Sequence, residues 1–380
     1  MFLKGPHIEF QMIILRGIIR MSVRIGMASL NPVVGSLDSN LSKIKSAMSE
    51  MNHNKCDIGC FSEGIISGYP SEDLVLWPEY IEKQKICLNE ICDFTKRFPT
   101  SYIVGAFCLY NNLIYNNAVL ISNGEIQWFV PKEKLPTYDV FYDGRQFAFG
   151  EPGFYDIENK FGDAIFDMPF GKIGITICED MWVASGPVTR RVLSGAEIIF
   201  NISASPWRQG VVEARENMIR ARSADNAAAI VYVNQTGGND ALVFDGGNMV
   251  ACGGDIVFRS ERWKPVVCFY DLDLNSIQRA RQKNTTWRND YIQLEKECYV
   301  KKVELSKTHN RNNENNHNKQ VFLSYNDNNY LDPIEESVNA IILGLNDYFE
   351  KTNAFKGIGV SISGGRSEEH TSELQSRQVI

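Results

Sequence analysis

The chain has 380 residues, 44% of them hydrophobic, and a formal net charge of -7 at neutral pH. That is ample material for one large core or two ordinary ones. The acidic balance argues against general affinity for nucleic acid or an anionic membrane, and no apolar run approaches the roughly 20 residues of a spanning helix.

Residues 1–20, "MFLKGPHIEFQMIILRGIIR", lack a small-residue cleavage site and a serine-rich transit composition, so they read as an extension ahead of a natural start at Met21. From there short apolar strands alternate with helical patterns: strand "VRIGMASLN", a helix through "NLSKIKSAMSEM", strand "CDIGCFSE", a helix over residues 80–98, and strand "SYIVGAFCLY". In "NAVLISNGEIQWFV" the Asn123-Gly124 pair predicts a two-residue hairpin turn. Strands "KIGITIC", "EIIFNIS" and "AIVYVNQ" follow, separated by helices in "VTRRVLSGA" and "EARENMIRARSADNAA", and "ALVFDGGNMVACGG" and "DIVFRS" complete the sheet. This makes residues 21–300 a mixed α/β domain. Residues 301–330, rich in asparagine, read as a linker. An amphipathic helix over 333–351 and the strand "FKGIGVSISGG" then read as the start of a second α/β domain at 331–365.

The nine cysteines are odd in number and include no C-x-x-C pair, which predicts reduced thiols, a cytoplasmic protein and no metal site. One of them raises a chemical question. In "KIGITICEDMW" Cys178 ends an apolar strand and is followed by Glu179 and Asp180, whose charges disfavour a thiolate. The five histidines are His7, His53, His309, His317 and His370, so a cysteine-histidine pair has no good candidate. Any helper must be Lys, Glu, Asp or Tyr. Three polar residues sit at strand ends, where α/β proteins place their chemistry: Glu63, Lys132 and Cys178. Singly they are ordinary, as a solvated carboxylate, a surface lysine paired with Lys134 and a core cysteine. Together they offer a proton acceptor, a cation for an oxyanion, and a nucleophile.

The ordered segments "FSEGIISGYPSEDL", "PKEKLPTYDVFYDGRQF" and "GKIGITICEDMW" resemble the nitrilase superfamily, in its glutaminase branch attached to NAD+ synthetases. The resemblance runs from about Met21 to Cys298 and includes "NISASPW" and "ARSADNAAAIVYVNQTGGNDALVFDG". It implies a four-layer α-β-β-α sandwich with Glu63, Lys132 and Cys178 as catalytic residues. It also implies glutamine contacts from Tyr138, Phe141, Glu179 and Ser205, with Glu179 pairing the substrate ammonium. Aromatic packing is the plain alternative for Tyr138 and Phe141.

The same resemblance implies a second domain of the ATP-pyrophosphatase type, taking ATP, Mg²⁺ and deamido-NAD, with Ser363, Gly364 and Gly365 as the remnant of its phosphate loop. After Gly365 the chain reads "RSEEHTSELQSRQVI", without the Asp-Ser of such a loop, so 366–380 is expected to be a foreign tail and the chain unable to make NAD+. A helix and one strand after the linker are expected to lack a surface against which to order. The glutaminase part is expected to need no cofactor, to bind glutamine, and to form a homo-oligomer. Two other readings are a free-standing nitrilase-type amidase and a non-catalytic scaffold.

Overall fold

The computed structural model describes residues 22–294, 300–305, 330–357 and 359. The extension at 1–20, most of the 301–330 segment, Ser363, Gly364, Gly365 and the 366–380 tail lie outside the described residues.

Two sheets form the middle of the molecule. The first has eight strands in the order β16 (Val266–Leu272), β1 (Val23–Ser29), β2 (Ile58–Phe61), β3 (Ser101–Tyr110), β4 (Leu113–Ser122), β5 (Glu125–Pro131), β7 (Phe161–Gly162) and β6 (Tyr155–Asp156). The second has seven, in the order β15 (Asp255–Arg259), β14 (Met249–Cys252), β11 (Ala229–Asn234), β10 (Ile198–Ser203), β9 (Gly171–Ile177), β8 (Ala164–Met168) and β17 (Lys301–Glu304). A separate hairpin pairs β12 (Thr236–Asn239) with β13 (Leu242–Asp245).

The inner faces of both sheets share one core, in which Ile25, Cys60, Ile103 and Leu120 meet Phe166, Ile175, Phe200 and Val231. Helices α1 (Leu37–His53) and α2 (Pro78–Thr95) cover the outer face of the first sheet. On α1 the buried Leu37, Leu41, Ile44, Met48 and Met51 recur at helical spacing, so one stripe faces the sheet. Short turns α3 (Asp143–Gln146) and α4 (Glu179–Trp182) precede α5 (Pro187–Leu193) and α6 (Val211–Asn226), and the last two cover the second sheet through Val188, Val192, Met218 and Ile219. The result is the expected α-β-β-α layering. Helices α7 (Leu274–Lys283) and α8 (Thr285–Leu294) follow β16.

Local chemistry explains two decisive bends. Asn123 and Gly124 take φ of 56° and 73°, the backbone that an Asn-Gly hairpin turn requires, and join β4 to β5 as expected. At Gly105 on β3 a Cβ would lie 2.4 Å from the backbone of both Ser62 and Gly64. Only glycine lets β3 pass beneath the loop that carries Glu63.

Three expectations are corrected. The stretch "ALVFDGGNMVACGG" is not one strand, because Gly246 and Gly247 at φ of 71° and 80° break it and send β13 out of the main sheet to pair with β12. Strand β16 went unread because "VVCFYDL" follows a polar loop without a clear turn signal. Residues 301–304 are not linker: β17 pairs in parallel with β8 from Lys301↔Ala164 to Glu304↔Asp167, and its exposed alternate positions hid it.

A fourth difference concerns α9 (Pro333–Thr352), which does find a surface. Near its start Glu336 receives hydrogen bonds from Arg262 at 2.5 and 2.7 Å and from the Trp207 indole at 3.0 Å. Near its end Asp347 accepts from the Gly238 N–H at 2.6 Å and from the Asn31 amide at 2.8 and 3.0 Å. The anchoring is polar, which apolar periodicity does not register. Its other side leaves Ile334, Val338, Ile341, Leu345 and Tyr348 exposed.

Candidate active site

Glu63 follows β2, Lys132 follows β5 and Cys178 follows β9, so the strand ends converge as their positions in sequence suggested. The Lys132 ammonium donates to Glu63 Oε1 at 2.7 Å and to Asp143 Oδ2 at 2.5 Å. Lys132 is 1% exposed and Glu63 fully buried, which rules out the reading of either as a solvated surface charge. Glu63 Oε1 also accepts from the Asn116 amide at 2.7 Å, and Oε2 accepts from the Ala204 N–H at 3.0 Å, which leaves acceptor capacity on Oε2. Asn116 also accepts the Lys132 N–H at 2.8 Å through its carbonyl, so one residue of β4 fixes both partners.

Cys178 occupies the sharp turn between β9 and α4 with φ 42° and ψ -100°, a conformation costly for any residue with a Cβ. Strain of this kind persists only where surrounding contacts hold it, and it recurs where a nucleophile is presented at a strand-to-helix turn. Here the Cys178 N–H is tied to the Ile202 carbonyl at 2.8 Å, and Asp180, fully buried, accepts from the Ile177 N–H at 3.0 Å. The other oxygen of Asp180 accepts from the Glu133 and Lys134 N–H groups at 3.1 and 2.9 Å. Asp180 therefore clamps the lysine loop onto the cysteine turn. Behind it Glu133 is paired with Arg190 and Arg191 at 2.5 and 3.0 Å.

The electrostatics follow from burial and these neighbours. Burial, reinforced by Glu63, holds the Cys178 thiol well above its ordinary value, while Lys132 pulls in the opposite direction. A thiol held up in this way favours its protonated form, so any nucleophilic role for Cys178 would need a base at the moment of attack. Burial also raises the Glu63 carboxyl, opposed by Lys132, which suits a group that accepts and returns a proton. Burial alone would lower the Lys132 ammonium, but Asp143 and Glu63 overcome it and keep it cationic. Cys60 and Cys108 differ, since burial raises both with no cation to oppose it.

The remaining candidates divide into two groups. Tyr138 donates to Glu179 Oε2 at 2.8 Å and meets Phe141 edge-on at 5.6 Å, so these three lie together beside Cys178. Tyr138 is 52% exposed, so it is not core packing. Ser205 is buried one residue beyond the Ala204 N–H that holds Glu63, and its hydroxyl accepts from Arg215 at 3.2 Å. Sequence reading missed Asp143 and Asn116 as parts of the site, and read Asp180 with Glu179 only in general terms, as partners for a substrate cation and structural contacts. Asp143 was visible inside "TYDVFYDGRQF", but a lone acid in a polar loop carries no signal of burial.

The model of the carbon-nitrogen hydrolase family matches residues 24–282, and the chain belongs to that family. Within it the chain is similar to the glutamine-dependent NAD(+) synthetase of Aquifex aeolicus, with 30% identity over 344 residues. That match covers 90% of this chain and 56% of the Aquifex protein, so the chain spans about half the length of that relative. Among solved structures, the glutamine-dependent NAD+ synthetase from Acinetobacter baumannii in complex with ADP shares the fold with a TM-score of 0.68 and 22% identity, covering 89% of this chain and 53% of that one. An amidase from Nesterenkonia sp. gives a TM-score of 0.58 and 17% identity, covering 68% of this chain and 93% of that one.

Proposed function

We propose that this chain is the glutamine-hydrolysing part of a glutamine-dependent NAD+ synthetase, with Cys178 as nucleophile, Glu63 as proton carrier and Lys132 as oxyanion partner. The observation that carries the reading is the buried Glu63–Lys132 ion pair, at 2.7 Å, acting on the thiol of a strained strand-end cysteine.

As the Cys178 sulfur attacks the side-chain carbonyl carbon of glutamine, its proton passes to Glu63 and the carbonyl oxygen becomes an oxyanion facing Lys132. Collapse breaks the carbon-nitrogen bond. Glu63 returns the proton to the departing nitrogen, leaving ammonia and a thioester. Water then gives a proton to Glu63 and attacks the thioester, releasing glutamate and the reprotonated thiol. None of these steps needs ATP, Mg²⁺ or another cofactor.

Tyr138, Phe141, Glu179 and Ser205 would line the glutamine site, with Glu179 facing the substrate ammonium. The ammonia would pass to an adenylated deamido-NAD in a synthetase domain of the ATP-pyrophosphatase type beginning near residue 331, which would use ATP and Mg²⁺. Residues 21–300 with β17 would form the glutaminase domain. Assembly as a cytoplasmic homo-oligomer belongs to the same proposal.

Glu179→Gln tests the substrate. A hydrogen bond to a charged group contributes about 1.5–3 kcal/mol, so kcat/KM for glutamine should fall roughly 10- to 100-fold. Hydrolysis of a simple amide without an ammonium should change little. Equal losses on both substrates would favour an amidase that does not read the amino-acid end of glutamine.

A further inference from the structure

Helix α9 reaches the catalytic lysine through hydrogen bonds that no catalytic step uses. Asp347 accepts the Gly238 N–H at 2.6 Å, and the Lys351 ammonium donates to the Gly238 carbonyl at 2.7 Å and to the Asn239 side-chain oxygen at 2.9 Å. These grip β12 by its backbone and by one side chain. The approach is close because both surfaces use glycine: a Cβ on Gly238 would sit 3.2 Å from the Gly344 Cα of α9. At Gly237, with φ of 106°, a Cβ would collide with Asn31 and Asp347.

The amide nitrogen of the same Asn239 donates to the Tyr69 carbonyl at 3.2 Å, joined there by Gln235 at 2.9 Å. Tyr69 then turns its hydroxyl to Asp143 Oδ1 at 2.8 Å, and Asp143 Oδ2 holds the Lys132 ammonium at 2.5 Å. Asp347, Asn239, Tyr69, Asp143 and Lys132 are all buried. Their bonds are therefore little weakened by water, and a displaced partner is costly to leave unpaired.

We propose that docking of α9 on the β12–β13 hairpin positions Lys132, through Asn239, Tyr69 and Asp143, and so makes turnover at Cys178 depend on this helix. Asp347, Lys351 and Tyr69 act as positioning residues. An ammonium meant to meet a developing oxyanion loses most of its effect when shifted by about 1 Å, whereas the glutamine contacts at Tyr138 and Glu179 do not lie on this path. The effect should fall on kcat and spare KM. The inference rests on the glutaminase reading for its substrate, so it is also read without glutamine.

In the full chain, Asp347→Ala and Lys351→Met should each lower kcat for glutamine roughly tenfold or more with KM nearly unchanged. In a Tyr69→Phe background, where the path is already cut, Asp347→Ala should add less than about twofold. In parallel, Asp347→Ala should slow alkylation of Cys178 by iodoacetamide at mildly alkaline pH, because a displaced Lys132 no longer favours the thiolate. Unchanged kcat and unchanged alkylation in both Asp347→Ala and Lys351→Met would overturn the proposal, as would the same fold-loss from Asp347→Ala with and without Tyr69→Phe. Should Asp347→Ala fail to fold, Lys351→Met in the two backgrounds gives the same decision. A parent chain that does not hydrolyse glutamine defeats the glutaminase reading, and the alkylation rates then decide the coupling alone.

Discussion

Cys178→Ala is expected to leave no measurable release of ammonia from glutamine. Removing the atom that forms the covalent intermediate costs on the order of 10⁴-fold or more, because water would have to attack the amide directly. The substitution removes one sulfur from a turn held by the backbone bond to Ile202 and by Asp180, neither of which involves the thiol. The variant should therefore fold and still bind glutamine, which isothermal calorimetry can check. Cys56→Ala and Cys252→Ala serve as controls. Cys56 lies in the outer core with α1, so its loss should cost about 1 kcal/mol of stability and leave turnover intact. Cys252 packs against the inter-sheet core from a half-buried position and should matter less still. Steady-state ammonia release from the three variants separates a nucleophile from two packing cysteines.

Lys132→Met should lower turnover about 100-fold or more, and Lys134→Met only slightly. The two lysines are two residues apart in "PKEKLP" and look equivalent in sequence. Geometry distinguishes them. Lys132 is buried between Glu63 and Asp143, whereas Lys134 is half-buried and is anchored by its backbone N–H to Asp180. Loss of one oxyanion donor is worth about 3 kcal/mol, which sets the scale for Lys132. A second effect acts in the same direction: without the cation, Glu63 and Asp143 are left as buried acids without their shared partner, and the Glu63 carboxyl is pushed further up, which weakens it as an acceptor for the thiol proton. Methionine keeps the length and apolar stem of lysine, so the loss should appear in kcat with a modest change in melting temperature. Equal losses from both substitutions would contradict the assignment.

Much of this site was legible because strand ends are readable. Apolar runs ending in a single polar residue place Glu63 and Cys178, and the Asn123-Gly124 turn returns β5 so that it delivers Lys132. The supporting residues were not legible for a physical reason. Asp180 and Asp143 have the same composition as solvated loop acids, and only the packing of four loops shows that one clamps two backbones while the other holds a lysine. Asn116 was hidden inside a strand whose alternation assigns it no special role. The docking of α9 was missed because it depends on Glu336 and Asp347, charges that a helical pattern places on the solvent side.

The central claim is that Cys178 is a nucleophile matched to glutamine, and mass spectrometry of the chain after exposure to a diazoketone analogue of glutamine tests it most directly. The expected result is a single covalent adduct on the peptide containing Cys178, prevented by excess glutamine, while Cys56, Cys60 and Cys252 stay unmodified. An adduct on another cysteine, or a parent chain that remains unlabelled while folded, would contradict it.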